Sequence, residues 1–533
     1  MGRCSFVWKG LDQQSGEYTE TQCPEKIWKG STEFCIFHDP SYQKDIELFH
    51  KKLQEKLQSE NYDFRGYCFV ERCEFGKRVF RESADFSGVI FREDVSFREA
   101  TFKEDSSFWN AFFLKKANFT RAKFQKCVDF TQATFMEVSF WDTNFQEASF
   151  IETAFRNAYF TGAIFEKYVE FDRATFQYAD FINVTFQKDA SFRETAFQEY
   201  ASFTQTVFHG YASFKESTFQ DVYFDKATFL YDASFRESDF QHIASFFNTE
   251  FFRNTSFSDA SFETALFKGT HFLGVDFIRT TIKRHLDLRP WHNVKVLDLS
   301  QSLLRGLITA DMKQARFHKS ILENVYFKSC GWPNNYRIYE EEHMADLNLN
   351  FRHLESIYRD LKENMKRHGD YSRAGEFYYR EMECRRKSLR RNILGKHKPS
   401  LDWFRLIGYH FLRDTCGYGE RPFRVILVSI FIIFFSAVLF FFCGVIRFPP
   451  EGNPQTINYS LDTIFSLNSL HLTKNAILDF LRCVYYSVVT FTTLGYGDFH
   501  PLGWSHLIAA AEAFVGAFFM ALFAVVLARK MMR

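Results

Sequence analysis

The chain lacks several features that would place it directly in a common functional class. Its 66 Lys and Arg residues balance 65 acidic residues, and a formal charge of +1 argues against a protein that coats polyanions. Its 11 cysteines are scattered and do not reach the density of a secreted disulfide scaffold. The first twenty residues contain no apolar run, so no cleavable signal peptide is predicted. No nucleotide-binding glycine-rich loop, catalytic triad or carboxylate pair stands out, and we predict that the chain is not an enzyme.

The chain also lacks the hydropathy of a mostly embedded membrane protein. Its mean hydropathy of -0.26 permits only a few membrane spans. An apolar fraction of 46% excludes a disordered chain. The length of 533 residues allows two to four domains.

What the chain has in excess is phenylalanine, at 70 of 533 residues. Forty-one of these residues form one frame from Phe64 to Phe277, with 27 intervals of five residues and 13 of six. A small residue often lies two positions before the Phe, as Ala117 does before Phe119. A period of five fits neither an α-helix nor a β-strand. It fits a solenoid in which every fifth residue turns inward.

This A-x-F pattern resembles pentapeptide-repeat proteins, which usually carry A-x-L. The resemblance implies a right-handed quadrilateral β-helix over residues 61–335, with four repeats per coil. At about 4.8 Å per coil, about ten coils make a rod roughly 50 Å long. We expect the six-residue intervals to bulge at corners. A fainter continuation of the frame predicts that the rod resumes after an irregular piece around Pro290 and Trp291. That continuation consists of Leu307, Met312, Phe317, Leu322 and Phe327.

A rod of this kind has two interpretations. In one it is a rigid spacer or docking surface. In the other it is a DNA-mimicking topoisomerase inhibitor, as some pentapeptide-repeat proteins are. The second interpretation needs a strongly acidic surface, whereas residues 61–280 sum to about -8, spread along the rod. The composition therefore gives it only weak support.

Residues 1–60 form a predicted cap on the rod and contain Cys4, Cys23, Cys35 and His38. Three Cys and one His can build a tetrahedral structural zinc site. The spacing from Cys35 to His38 suits such a site, while the longer gaps do not discriminate. Free thiols in a small cap domain are the alternative.

Helical periodicity flanks the rod on both sides. Residues 41–59 are predicted to form a helix that covers the first coil. Residues 340–400 are predicted to form an antiparallel helix pair, and residues 401–420 an interfacial helix. The basic cluster over residues 385–398 lies just before an apolar segment, where positive charge meets anionic lipid. It therefore predicts contact with a membrane and no nucleic-acid partner.

The remaining residues, 421–533, contain two apolar segments long enough to cross a bilayer. Residues 425–446 carry no charge, and residues 507–528 carry one, Glu512. Basic residues lie before the first segment and after the second, which places both termini in the cytoplasm of a multi-pass protein of the cell (inner) membrane. The first segment has no Arg at three-residue spacing, so no voltage sensor is predicted.

Between the two segments lies the most specific motif of the chain, Thr490-Phe-Thr-Thr-Leu-Gly-Tyr-Gly-Asp498. It matches the potassium-channel signature, with Leu in place of the commonest Val. A potassium filter needs inward carbonyl oxygens, ring above ring, to replace the hydration shell of the ion. Glycine permits the backbone angles that this requires. The predicted potassium-binding residues are Thr493, Leu494, Gly495, Tyr496 and Gly497. A second Gly-Tyr-Gly at residues 417–419 lacks the preceding Thr-Thr and is predicted to be a connector.

The C-terminal part thus resembles a two-transmembrane potassium channel, and the whole chain resembles a prokaryotic pentapeptide-repeat ion-channel protein. The resemblance implies that Tyr485 holds Asp498 behind the filter by a hydrogen bond. Val489 stands where one bacterial family has a Glu coupled to that Asp, which puts this coupling in doubt.

The second apolar segment resembles the inner helix of bacterial inward rectifiers. Gly516 matches their hinge glycine, with close helix packing as the alternative. Met520 stands where strong rectifiers carry an acid, so strong polyamine rectification is not expected. Gly516, Met520 and Ala524 belong to a small, apolar face that can line a cavity and close it by dewetting.

Glu512 is the single acid of that segment. An acid within a membrane span usually faces protein or water and is functional. A structural hydrogen bond is the alternative. We expect Glu512 behind the filter, near Ser487 or Thr490.

These features together predict a homotetrameric potassium channel in a lipid bilayer, because four filter segments are needed to close a ring. Conduction is expected to be passive. The cytoplasmic rod is the predicted gating or docking module for an unknown regulator. A membrane-anchored scaffold with a vestigial pore is the alternative, and the intact filter motif speaks against it.

Overall fold

The computed structural model divides into two compact units, Met1–Leu347 and Asn348–Arg533. The residues that the structure describes are 2–11, 18–288, 297–310, 312, 315–317, 319–328, 330–345, 349–394, 402–449, 453–459 and 470–532.

The first unit opens with an antiparallel hairpin of Val7–Leu11 and Tyr18–Gln22. Helix α1, Ile46–Gln58, follows, and the Asp45 carboxylate caps it by accepting from the Leu48 N–H. The buried side of α1 packs on the start of the rod, where the rings of Phe49 and Phe69 lie 5.4 Å apart. The helix thereby covers the first coil, whose edge would otherwise be exposed.

Two parallel sheets build the rod. One contains Cys68–Phe69, Cys73–Glu74, Ile90–Phe91, Val95–Ser96, Phe112–Asn118, Thr134–Ser139, Ala154–Tyr159, Thr175–Asp180, Ala196–Ser202, Thr218–Tyr223, Asp239–Ser245, Ser261–Leu266, Thr281–Asp287, Leu303–Thr309 and Ile321–Phe327. The other contains Val79–Phe80, Ala84–Asp85, Thr101–Phe102, Ser106–Ser107, Lys123–Asp129, Asn144–Ser149, Ile164–Phe165, Val169–Glu170, Thr185–Phe186, Ala190–Ser191, Val207–Phe208, Ala212–Ser213, Thr228–Phe229, Ala233–Ser234, Glu250–Ser256, His271–Asp276, Leu297–Asp298 and Ala315–Arg316.

The Phe side chains of the frame fill the interior in stacked columns. Phe150, for example, is fully buried and stacks on Phe130 at 5.0 Å and on Phe171 at 4.7 Å between ring centroids. Within one coil, neighbouring columns meet edge to face, as Phe150 and Phe160 do at 90°. The excess of Phe is therefore the apolar core of the rod, whose burial from water drives its folding.

Turns in the coils place a residue with positive φ two positions after a Phe. Glu99, with φ 58°, follows Phe97 in this way, and the Ala100 N–H donates to the Phe97 carbonyl at 3.0 Å. At several turns Ser or Thr replaces the small Ala, and the hydroxyl then donates to a Phe carbonyl of the preceding coil. The Thr153 hydroxyl and the Phe130 carbonyl, 2.7 Å apart, form one such bond. These bonds satisfy hydroxyl groups that are completely buried.

Some of the six-residue intervals are absorbed as bulges inside a strand, and others interrupt the strand, as between Ile164–Phe165 and Val169–Glu170. The register against the next coil shifts between Phe113 and Lys116, where the interval to the following Phe is six residues. The Asp94 carboxylate accepts from the Lys116 N–H at 3.2 Å at this point. The stacking of the columns continues unbroken across the bulge, since Phe113 lies 4.4 Å from Phe135.

The rod continues beyond Phe277, as the sequence predicted, and has about 12 turns in all. Leu303–Thr309 pairs in parallel with both Thr281–Asp287 and Ile321–Phe327. Leu304 and Ile308 face inward here, and the predicted Leu307 is only half-buried. The segment around Pro290 and Trp291 lies outside the described residues. Helix α2, Tyr339–Glu342, follows the last coil.

The second unit is mainly helical. Its helices are α3, Phe351–Arg367; α4, Tyr371–Leu394; α5, Asp402–Cys416; α6, Pro422–Cys443; α7, Leu470–Phe491; and α8, Ser505–Met531. A small antiparallel sheet joins Gln455–Ile457, Val445–Arg447 and Phe499–Pro501 in that order.

Helices α3 and α4 pack together, and α6, α7 and α8 form the second packed group of this unit. Asn350 caps α3, whose buried stripe of Leu354, Tyr358 and Leu361 faces α4. Helix α6 ends at Gly444, which adopts φ 96°. Both α6 and α8 are long and apolar enough to cross a membrane. The predicted fold class, a β-helix followed by helices with two membrane spans, is confirmed.

Candidate functional site

The signature motif begins where α7 ends. The Thr493 N–H donates to the Thr490 carbonyl, and the Leu494 N–H donates to the Val489 carbonyl, each at 3.0 Å. These bonds satisfy the last carbonyls of the helix and turn the chain sharply out of it. Val489 itself is buried behind this turn. The helix therefore leads the chain in a fixed direction into residues 493–497, the predicted filter segment.

The filter segment has an alternating backbone. Thr493, Gly495 and Gly497 have φ of 55°, 56° and 79°, whereas Leu494 and Tyr496 between them do not. A positive φ at every second residue departs from an extended strand, in which successive carbonyls point to opposite sides, and so permits neighbouring carbonyls to face the same side. A column of carbonyl oxygens that point one way is the arrangement that replaces the hydration shell of a cation.

One side of the filter segment is open in the single chain. A methyl group on Gly495 or Gly497 would meet nothing within 4 Å. Leu494 and Tyr496 are 57% and 66% exposed. The Thr493 hydroxyl donates to the Thr492 carbonyl at 2.7 Å, which leaves its oxygen lone pairs available to an ion.

Asp498 follows the filter and leads into the small sheet. Its carbonyl accepts from the Phe448 N–H at 2.8 Å, which ties the filter exit to the chain that leaves α6. The structure brings Tyr485 on α7 near Asp498, and the hydrogen bond between them stays a prediction. The ring of Tyr485 also lies 5.9 Å from that of Phe499.

Glu512 on α8 reaches α7 behind the filter. One of its carboxyl oxygens contacts the Ser487 hydroxyl, and Ser487 is fully buried. The same hydroxyl lies 2.8 Å from the Ile433 carbonyl of α6. Glu512 and Ser487 thus join all three helices that surround the filter segment.

Gly516 lies one turn further along α8 and packs closely against the end of α7. A Cβ at Gly516 would lie 2.0 Å from the Phe491 carbonyl oxygen, at the end of α7. No side chain fits at that distance. The geometry thus shows the close packing that the sequence left as the alternative to a hinge.

Replacement of Gly516 by Ala is expected to push α8 away from the end of α7 and to lower ion flux at least tenfold, because the added methyl overlaps a backbone atom. Ion flux into liposomes checks this. Gly408→Ala on α5 is the matched control, since its methyl would meet nothing within 4 Å. Normal flux in Gly516→Ala would show that the contact is not needed.

The rest of α8 presents a small, open face in the single chain. Ala517, Met520 and Ala524 are all exposed, and Met520 is the bulkiest of them. Ala513 is half-buried and Gly516 is buried, so the N-terminal part of the predicted face is turned toward protein. Only the C-terminal part of this face, from Ala517 onward, is exposed and could line a cavity.

A polar cluster that the sequence analysis missed connects the ends of these helices. Tyr418, between α5 and α6, donates to the Glu383 carboxylate of α4 at 2.8 Å. Arg386 pairs with the same carboxylate at 3.0 Å. Burial opposes the charge of Glu383, but the hydrogen bonds from Arg386 and Tyr418 outweigh it and hold the pKa of that carboxyl below its usual range.

The same loop holds the end of α8. Arg529 pairs with Glu420 at 3.2 Å, and its guanidinium lies 5.0 Å from the ring of Tyr378 on α4. Glu420 is buried. Arg421 at the start of α6 pairs with Glu376 of α4 at 3.1 Å. Helix α4 therefore contacts both the beginning of the first membrane span and the end of the second.

The predicted metal ligands lie far from the filter motif in the sequence, in the first unit. The structure brings Cys4, Cys23, Cys35 and His38 together as one buried group, with their ligand atoms within 4.8 Å of one another.

The two matches to known families fall in different units of the chain. Residues 75–115, 113–154, 171–218 and 203–250 match the family model for pentapeptide repeats. Residues 456–533, which contain the filter motif, match the family model described as an ion channel. The chain joins pentapeptide repeats to an ion-channel domain.

Solved structures similar to this chain include a pentapeptide-repeat protein and a fluoroquinolone resistance protein. HetL, involved in heterocyst differentiation regulation in the cyanobacterium Nostoc sp. strain PCC 7120, is 11% identical with a TM-score of 0.21, over 52% of this chain and 97% of HetL. Full-length QnrB1, a plasmid-mediated fluoroquinolone resistance protein, is 14% identical with a TM-score of 0.16, over 48% of this chain and 93% of QnrB1. No curated protein matches the chain.

Proposed function

We propose that the protein is a potassium-selective channel formed by four copies of the chain, which passes potassium passively down its electrochemical gradient. The proposal rests on the alternation of φ along the filter segment. The angle is positive at Thr493, Gly495 and Gly497 and not at the residues between them. This alternation occurs in a segment held between an incoming helix and a membrane-spanning one. Carbonyl rings of that kind bind a dehydrated monovalent cation.

The open side of the filter supports the tetramer. A single filter segment surrounds no ion, and four are needed to close each ring of carbonyls. In one chain Leu494 and Tyr496 are exposed, as are Met520 and Ala524 of α8. Contact with neighbouring copies would cover part of this surface and would leave the small face of α8 toward a central cavity.

The membrane placement supports the same function. The ion-channel match and the two apolar helices indicate a membrane protein. We propose an inner-membrane position with both termini in the cytoplasm, because basic residues lie just outside α6 and α8 on one side. No catalytic role is proposed for any residue.

The cluster around α4 supports a gating role for the cytoplasmic part of the chain. Helix α4 contacts the loop that carries Glu420, and Glu420 holds Arg529 at the end of α8. A shift of α4 would therefore act on the cytoplasmic end of α8, where the inner helices can close a pore. We propose that the pentapeptide-repeat rod, joined to α4 through α3, delivers the signal of a regulator to this contact.

Flux in liposomes tests the proposal. Purified protein is reconstituted with a potassium or a sodium gradient, and we expect uptake of potassium at least tenfold faster than uptake of sodium. Native mass spectrometry in detergent is expected to give four chains per particle. If the flux does not exceed that of empty liposomes, whether the protein is a tetramer or a monomer, the result would favour the scaffold with a vestigial pore.

A double-mutant cycle tests the gating contact. Glu420→Gln and Arg529→Gln are each expected to change open probability in single-channel recordings. The effect of both together is expected to be smaller than the sum, with a coupling of roughly 0.5–3 kcal/mol, because each variant breaks the same ion pair. Additive effects would contradict the gating role of this pair. Arg405→Gln, an exposed Arg of α5 at 71% side-chain exposure, is the matched control.

A further inference from the structure

We propose that Cys4, Cys23, Cys35 and His38 bind one structural zinc ion, which fastens the N-terminal hairpin to the first coil of the rod. The proposal is independent of the channel function. It rests on the geometry of the four side chains, on the orientation of the His ring and on the contacts that the group makes with the first coil.

The distances between the ligand atoms fit a tetrahedral ion. At Zn–S distances of about 2.3 Å, two sulfur ligands lie about 3.8 Å apart and a sulfur and a nitrogen ligand slightly less. The Cys23 and Cys35 sulfurs lie 3.9 Å apart. His38 Nδ1 lies 3.7 Å from the Cys4 sulfur and 3.1 Å from the Cys35 sulfur. All the ligand atoms fall within 4.8 Å of one another.

The His38 ring is oriented for metal binding. Its Nε2 lies 2.9 Å from the Arg65 carbonyl, which can only accept, so Nε2 carries the proton and donates. Nδ1 is then left with a lone pair that points at the sulfurs. A second hydrogen bond that fixes the tautomer of a His ligand is typical of zinc sites.

The surroundings of the thiols suit a bound metal better than free thiols. All four residues are buried, and the Phe6 ring stacks on His38 with centroids 3.9 Å apart. The Cys35 N–H donates to the Cys4 sulfur at 3.1 Å, as it would to a thiolate. The separation of Cys23 and Cys35 is far longer than a disulfide bond.

The four ligands come from three segments that the metal would join. Cys4 and Cys23 flank the hairpin, and Cys35 and His38 lie at the two ends of one turn. That turn contacts the first coil, because the Cys68 N–H donates to the Phe37 carbonyl at 2.9 Å. The two strands of the hairpin have five residues each, so a metal would supply the stability that such small elements need.

Metal analysis of the full chain, purified under reducing conditions and dialysed against added zinc, tests the proposal. We expect one zinc per chain in the wild type and in Cys127→Ser, whose thiol is exposed. We expect at least a tenfold loss of bound zinc in Cys35→Ser. Cobalt in place of zinc is expected to give the thiolate charge-transfer and tetrahedral d–d absorption bands.

A conservative variant separates metal binding from misfolding. His38→Cys removes the hydrogen bond to Arg65 but replaces one zinc ligand by another. It should therefore retain the zinc, and its cobalt form should keep tetrahedral d–d bands with stronger thiolate charge-transfer absorption. A wild type that takes up no metal, a Cys35→Ser variant that keeps it, or a Cys23–Cys35 disulfide in the isolated protein would each overturn the proposal. Loss of metal from His38→Cys with an intact circular dichroism spectrum would also overturn it.

Discussion

Gly495→Ala is expected to abolish potassium flux in reconstituted liposomes, to below a tenth of the wild-type rate. Gly495 adopts φ 56°, a conformation that costs a residue with a Cβ about 1–2 kcal/mol. The strain would fall on every copy of the filter segment at once. A relaxed backbone would turn carbonyl oxygens away from the ion, which then could not lose its hydration shell.

Two further variants serve as controls for this prediction. Leu494→Val restores the residue commonest in the signature and should leave flux within about a factor of two, because the filter uses the backbone of this position. Gly408→Ala controls for the exchange itself on a helix with free space around it. Equal potassium flux from Gly495→Ala and the wild type would remove the basis of the channel proposal.

Phe251→Ala is expected to lower the free energy of unfolding of the rod by about 3–5 kcal/mol, as for other buried aromatic side chains. Phe251 is fully buried and lies between Phe229 at 4.7 Å and Phe272 at 4.9 Å. Its removal leaves a cavity in a column that neighbouring coils cannot collapse to fill. Urea denaturation of the full chain in detergent, followed by circular dichroism, measures the loss.

The adjacent residue offers the matched control. Phe252 lies in the same strand and is 44% exposed. Phe252→Ala removes the same atoms from the surface, so a change within about 0.5 kcal/mol is expected. Equal losses from Phe251→Ala and Phe252→Ala would mean that the column is not the source of stability.

The sequence predicted the parts of the structure that repeat or that follow a strict motif. The frame of Phe residues predicted the rod because one inward side chain every fifth residue has few other structural solutions. The motif over residues 490–498 predicted the positive φ of Gly495 and Gly497, because glycine permits these angles. The role of this segment as a potassium filter stays a prediction. Both signals lie in continuous stretches of sequence.

The contacts between distant segments could not be predicted in the same way. Glu420 and Arg529 are far apart in the sequence, and neither has a neighbour that marks it as one half of a pair. The connector containing Tyr418 was recognised, but its bond to Glu383 depends on how α4 packs. In the rod, the sequence predicts an inward Leu307 after Pro290, whereas Leu304 and Ile308 face inward. The repeat there no longer contains Phe at every step, so its frame is harder to place.

The parallel pairing of the coils has a consequence for how such a chain can change over time. Each coil rests only on the one before and the one after, and every coil offers nearly the same edge. Removal or duplication of one whole coil would join two edges that already fit each other. The rod could therefore become longer or shorter in steps of about 4.8 Å while the ion-channel domain stays as it is. Duplication of short DNA segments can therefore change the length of the rod without changing the pore.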